Sequence, residues 1–266
     1  MLGIVCLSMM PLGGCSGHRS SPVPLVRAHA HNDYLHRRPL LDALDCGFCS
    51  VEADVHLVDG ELLVGHKLQQ VRPGLTLQSL YLDPLKKRIA ANGGRVYRDG
   101  PQFDLLIDIK GNPEATYAKL REVLRKYEMI LTSFDDAGTH RRAVTVIATG
   151  DQPRAMLAAE RSRFLSSDGH IADLQTDPPT SLISQISARW IEEFAWRGDG
   201  PMHDADRTKL LAIVRLAHEQ GRRVRFWDAP DNPLAWQVLL DAGVDLINTD
   251  DLRGLRDFLL RRRAAG

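Results

Sequence analysis

Residues 104–127, DLLIDIKGNPEATYAKLREVLRKY, contain the unit from which the fold is read. An apolar run, Asp104–Ile109, ends in the polar residues Asp108 and Lys110 and turns through Gly111-Asn112-Pro113. A helical pattern follows over Pro113–Tyr127. Proline suits the first turn of a helix, where its missing N–H has no partner to lose. The same unit recurs in both directions. Further strands are expected at Leu25–Ala30, Ser50–Leu57, Ala143–Ala148, Arg163–Ser167, Leu182–Ser187, Arg222–Trp227 and Val244–Asn248. Helical patterns lie at Pro39–Asp45, Pro153–Glu160, Asp206–Glu219 and Pro233–Ala242, the last two followed by Gly221 and Gly243 as helix stops. Eight strands with interposed helices, and no Gly-x-Gly-x-x-Gly, predict a single (β/α)₈ barrel and not a dinucleotide-binding sheet. Residues 60–103 read as a long insertion between the second and third strands.

The chain has 266 residues and 44% apolar content, enough for one large core over residues 25–266. Its 34 basic and 34 acidic residues cancel, which argues against a nucleic-acid partner held by a basic field. The Arg261-Arg262-Arg263 cluster reads as a solvated helix end. Residues 1–24 differ. An uncharged apolar run ends in Leu12-Gly13-Gly14-Cys15, which resembles a lipobox with Cys15 as the lipidated residue, and a Ser-, Gly- and Pro-containing tether follows. That pattern predicts an exported bacterial lipoprotein, attached to a membrane by its N-terminal lipid and facing the periplasm or cell exterior. Cys46 and Cys49 remain; in an oxidising compartment they could form a small disulfide, and a structural role is expected for them over a redox one.

Polar residues gather where the strands end, the rim that carries the active site in such barrels. Side chains two residues apart on a strand share a face, so Glu52 with Asp54, Asp108 with Lys110, and His29 with His31 are expected to point together. Neighbouring inward carboxylates repel unless a cation joins them. Glu52, Asp54 and Asp108 are therefore expected to hold one divalent ion, Mg²⁺ or Ca²⁺. A zinc site using His29 and His31 is the rival reading, disfavoured by the excess of carboxylates. His29, His31 and His66 are candidate acid–base groups, since histidine titrates near neutral pH. Lys110 could offset anionic charge or pair with Asp108.

These residues resemble those of the phosphatidylinositol-specific phospholipase C-like phosphodiesterases. Within that superfamily the chain is similar to the glycerophosphodiester phosphodiesterases, and to their "altered inheritance of mitochondria" branch. The resemblance rests on Ala-His-Ala-His-Asn-Asp-Tyr at 28–34, Val-Glu-Ala-Asp-Val at 51–55, Gly-His at 65–66, Thr-Leu-Gln-Ser-Leu-Tyr at 76–81, Asp-Ile-Lys at 108–110 and Gly-Val-Asp-Leu-Ile-Asn-Thr-Asp at 243–250. It implies a TIM barrel and a metal-dependent phosphoric diester hydrolase acting on a small phosphodiester or a phospholipid-derived substrate. Glu52, Asp54 and Asp108 take the metal positions, and His66 one catalytic histidine. His29 fits the other by its place in the Ala-His motif, and His31 fits by its shorter spacing to Glu52, as in sphingomyelinase D-like relatives. Trp227 matches an aromatic residue lining the pocket. The chain departs from the family in three places. His-Ala-His replaces His-Arg-Gly, His66-Lys67 replaces His-Asp, and the Pro-Glu-Asn-Thr stretch is absent, so Asn32 or Asp33 would stand in for its glutamate on the substrate side. A sphingomyelinase D-like lyase and a catalytically silent lipid- or phosphate-binding protein remain alternatives.

Overall fold

A computed structural model describes residues 22–265. The Leu12–Cys15 stretch, with the lipidation position Cys15, and nearly all of the expected tether lie outside the described residues. The strands are β1 (Leu25–Ala30), β2 (Phe48–Val58), β3 (Glu61–Val64), β4 (Phe103–Ile109), β5 (Ser133–Asp135), β6 (Gly138–His140), β7 (Val144–Gly150), β8 (Ser162–Arg163), β9 (Leu165–Gly169), β10 (Ile183–Arg189), β11 (Arg223–Trp227) and β12 (Leu246–Thr249). Eight of them run parallel in the order β1-β12-β11-β10-β9-β7-β4-β2, and β1 also pairs with β2, which closes the barrel. All eight expected strands are present. The fifth begins at Leu165 because Ser162-Arg163 pairs instead with β5 in a separate three-stranded sheet, β6-β5-β8.

The helices are α1 (Leu41–Asp45), α2 (Asp83–Ala91), α3 (Pro113–Arg125), α4 (Arg154–Ala159), α5 (Trp190–Glu193), α6 (Asp204–Glu219), α7 (Pro233–Asp241) and α8 (Leu252–Ala265). The expected insertion between the second and third strands contains structure of its own. β2 overshoots the rim, turns at Asp59-Gly60 with φ of 47° and 79°, and returns as the antiparallel β3. Left-handed conformation at both turn residues is what a tight hairpin demands, and Asp-Gly supplies it. α2 then takes the place of the barrel's connecting helix.

The apolar core lies between strands and helices, where Val51, Leu105, Tyr117, Leu120 and Leu124 are essentially inaccessible. Each such side chain contributes about 1.5–3 kcal/mol by leaving water. The barrel interior is different. Gln185, Ser187, Asp168, Arg225, His29 and Asn248 are all buried polar groups, where a barrel interior ordinarily carries layers of branched aliphatics. Cys46 and Cys49 are separate buried thiols, so the small disulfide is not formed. Cys49 Sγ instead lies 3.7 Å from the Gly47 carbonyl.

Candidate functional site

The parallel register between β2 and β4 sets Asp54 directly beside Asp108. Glu52 lies two residues earlier on the same face of β2. The three carboxylates therefore meet at the mouth by strand geometry alone. Lys110 Nζ bridges two of them, 3.1 Å from Asp54 Oδ2 and 3.0 Å from Asp108 Oδ2. Burial pushes the Asp108 carboxyl up to about 6, with Asp54 adding to the shift. Asp54 is raised by burial and by Glu52. Glu52 is held low despite its burial, because Arg225 and His31 face it.

Gly150, at the end of β7, makes room for this arrangement. It has φ of +70°, and a Cβ there would stand 1.9 Å from Asp108 Oδ1. That same oxygen is buried with no hydrogen-bond partner. Only glycine tolerates both the backbone conformation and the close approach.

The two histidines of β1 and its following turn lie at different depths. His29 is fully buried: its Nδ1 is 2.7 Å from Ser50 Oγ, and its Nε2 accepts from Arg225 Nη1 at 3.1 Å. Burial and the Arg225 charge push its pKa well below the ordinary value, so the ring is neutral. His31 sits above it. Its Nδ1 is 3.0 Å from Asp250 Oδ1, and its Nε2 is 3.6 Å from Glu52 Oε2. Although burial lowers its pKa, the Asp250 hydrogen bond and the Glu52 charge prevail and raise it. His66 follows β3 and closes the other side, with Nδ1 3.2 Å from Asp54 Oδ2.

Asn32 belongs to this site and Asp33 does not. Asn32, in the left-handed region at φ 47°, donates its backbone N–H to Glu52 Oε2 at 3.3 Å and places its side chain beside His31 and Asp250. Asp33 turns inward with no exposure and accepts from Leu40 N–H and, at 2.9 Å, from Tyr81 O–H. The expectation that Asp33 faces substrate is corrected: the short 3-10 turn Asp33–Leu35 buries it against the chain. Trp227 ends β11 at 36% exposure, with the Arg189 guanidinium 5.2 Å from its ring centroid. Lys110 pairs with Asp54 as well as with the expected Asp108.

Four residues were missed by sequence reasoning. Tyr34 O–H lies 2.8 Å from Asp54 Oδ2 and 2.7 Å from Asn32 Oδ1. Asp250 orients His31. Arg225, only 2% exposed, reaches Glu52 Oε1, Asn248 Oδ1 and Asp168 Oδ2 at 3.3–3.4 Å and Ser187 Oγ at 3.0 Å. Asp168, itself 2% exposed, is the second carboxylate it reaches. A charged residue in the middle of a strand, as in Val-Arg-Phe-Trp at 224–227, was the one available signal for Arg225, because such a charge must find a partner inside.

The donor chemistry of Glu52, Asp54 and Asp108 fits a hard divalent cation, with three carboxylates and one orphaned oxygen, although the Lys110 ammonium now stands between two of them. Among the described residues no three side chains are already arranged around a common point suited to an ion. Lys110 would have to move aside.

A family model described as an AIM6-like phosphodiesterase domain matches residues 19–166, and one for the glycerophosphoryl diester phosphodiesterase family matches residues 223–253. "Altered inheritance of mitochondria protein 6" of Eremothecium gossypii is 31% identical over 277 residues, covering 90% of this chain and 71% of its own length. A homolog from Arthroderma benhamiae is 29% identical, covering 89% and 84%. The Saccharomyces cerevisiae protein is 28% identical, covering 87% and 70%. Among solved structures, a glycerophosphodiester phosphodiesterase from Agrobacterium tumefaciens superposes with a TM-score of 0.55 at 15% identity, over 89% of this chain and 100% of that one. The neighbour shares the barrel fold. The relatives are fungal, which overturns the expectation of an exported bacterial lipoprotein, and nothing in the comparisons supports an N-terminal lipid anchor.

Proposed function

This chain belongs to the AIM6-like phosphodiesterase family, and on that premise we propose that it is a metal-dependent phosphoric diester hydrolase. The observation that carries the reading is the placement of His31 and His66 on either side of the Glu52–Asp54–Asp108 carboxylates, within 3.6 and 3.2 Å of Glu52 and Asp54. A protein that only binds phosphate or lipid has no need for two titratable rings flanking one acidic cluster. His29 has both ring nitrogens engaged, so the proton-handling pair is His31 and His66.

Glu52, Asp54 and Asp108 would hold a Mg²⁺ or Ca²⁺ ion, which when bound supplies positive charge at a phosphate oxygen. The protein's own groups do the rest. One histidine takes a proton from the attacking water as its oxygen bonds to phosphorus. The other gives a proton to the departing ester oxygen as that P–O bond breaks. Asp250 holds the His31 ring in one orientation, and Asn32 fixes Glu52 through its backbone N–H. Lys110 supplies a cation beside the phosphate, and Trp227 offers an apolar wall.

The test is turnover of bis-p-nitrophenyl phosphate and a panel of glycerophosphodiesters after chelation and re-addition of Mg²⁺, Ca²⁺ or Zn²⁺. Wild type is compared with Glu52→Gln and His66→Ala. Metal-restored cleavage that both substitutions abolish supports the reading. A folded protein that binds metal and cleaves no diester would instead be a binding protein. A cyclic phosphate product would identify a lyase, with a substrate hydroxyl as the attacking group.

A further inference from the structure

The lip of the barrel mouth beside the site has a composition that the proposed chemistry does not use. Tyr34 O–H lies 3.3 Å from His66 Nδ1, which makes the 31–38 turn and the 65–75 loop neighbours. Each turns a leucine outward a few residues after a site histidine: Leu35, four residues after His31, is 67% exposed and Leu68, two residues after His66, is 54% exposed. Leu75 is a third exposed apolar side chain in the same loop. No acidic residue occurs in 34–41 or in 62–82, in a chain with 34 of them. The cations of these segments point to solvent. Arg38 is engaged with Asp42 and Asp45, whereas Arg37, Lys67 and Arg72 have no acidic partner within 4 Å among the described residues.

Exposed leucines on neighbouring segments are costly in water and are retained at surfaces that meet another phase or partner. Here Lys67 and Arg72, which have no acidic partner among the described residues, flank Leu68, the pairing of an apolar tip with a basic flank that suits an anionic bilayer, whose headgroups attract Lys and Arg while its acyl boundary accepts leucine. We propose that this lip, centred on Leu35 and Leu68 and flanked by Arg37, Lys67 and Arg72, docks reversibly on anionic phospholipid surfaces. The site then opens onto the membrane, so that phosphodiesters embedded in or leaving a bilayer reach it directly. No helix among the described residues is long and apolar enough to cross a membrane, so attachment through this lip is peripheral.

Docking is measured without turnover, so it stands or falls independently of the proposed reaction. The full chain is sedimented with vesicles of phosphatidylcholine alone and of phosphatidylcholine mixed equally with phosphatidylglycerol. Wild type is expected to bind the anionic vesicles and to be released by added salt. Lys67→Ala/Arg72→Ala is expected to weaken binding about thirtyfold, at about 1 kcal/mol per cation. Leu35→Ser/Leu68→Ser should also weaken binding, with unchanged circular dichroism and unchanged turnover of a soluble diester. Three results would overturn the proposal: no binding of wild type to anionic vesicles, equal binding to both vesicle types, or double variants that bind as tightly as wild type.

Discussion

Arg225 Nη2 lies 3.3 Å from Asp168 Oδ2 inside the barrel, and both side chains are 2% exposed. The same guanidinium reaches Glu52 at the mouth through its other nitrogen. One buried cation therefore compensates a carboxylate of the site and a carboxylate beneath it. Removing one member of a buried pair strands the other, at about 3–5 kcal/mol. Arg225→Met is expected to lose stability on that scale. Adding Asp168→Asn should recover part of the loss, giving a coupling energy of about 1–3 kcal/mol in a urea-unfolding cycle. Independent, additive effects would show that the pair is not coupled.

The proton-handling assignment separates His31 from His29, which lies two residues earlier in the chain. His31→Ala and His66→Ala are each expected to lower kcat about 10²–10⁴-fold with the fold intact. Asp250→Asn should fall at the mild end of that range, because it removes the partner that orients His31 and leaves the ring in place. The check is initial rates at saturating substrate. Normal turnover in His31→Ala would refute the assignment.

Asp33 gives the protein a pH dependence of its own. Its carboxyl is pushed up by burial to about 7, against 3.8 when exposed. Between those values the folded state holds a proton that the unfolded state releases, so this contribution to stability falls as pH rises from about 4 to about 7 and is lost above. Asp33→Asn removes that slope. Urea unfolding of both proteins across this window should show wild type losing ground to the variant as pH rises; a constant difference would mean that Asp33 does not titrate there.

Gly150→Ala probes the space reserved for Asp108. The added Cβ meets Asp108 Oδ1, and φ of +70° is unfavourable for alanine. A loss of about 1–3 kcal/mol is expected from backbone strain alone, together with reduced turnover as Asp108 is displaced. Thermal unfolding and diester cleavage measured on one preparation test both parts. A variant equal to wild type in each would show that neither strain nor contact matters.

The eight barrel strands and the rim position of Glu52, Asp54, Asp108, His31 and His66 were readable from the sequence. They depend on local signals: apolar runs of strand length, Gly and Pro punctuation, and the alternation that puts Glu52 and Asp54 on one face. The separate β6-β5-β8 sheet was not readable, because its strands are two or three residues long and β8 joins the β5-β6 hairpin from a distant segment of the chain. Nor was the depth of each histidine. His29 and His31 share a face, and only closure of the barrel sets one against Arg225 and the other against Asp250. Asp33 reversed direction because a 3-10 turn, stabilised by bonds to Leu40 and Tyr81, outweighs its place in the motif. Local patterning thus determined which elements form and which end of them carries the polar residues. Tertiary structure decided which polar groups meet, because Arg225 with Glu52, Asp250 with His31 and Tyr81 with Asp33 are pairs formed only when distant strands and loops close around one axis.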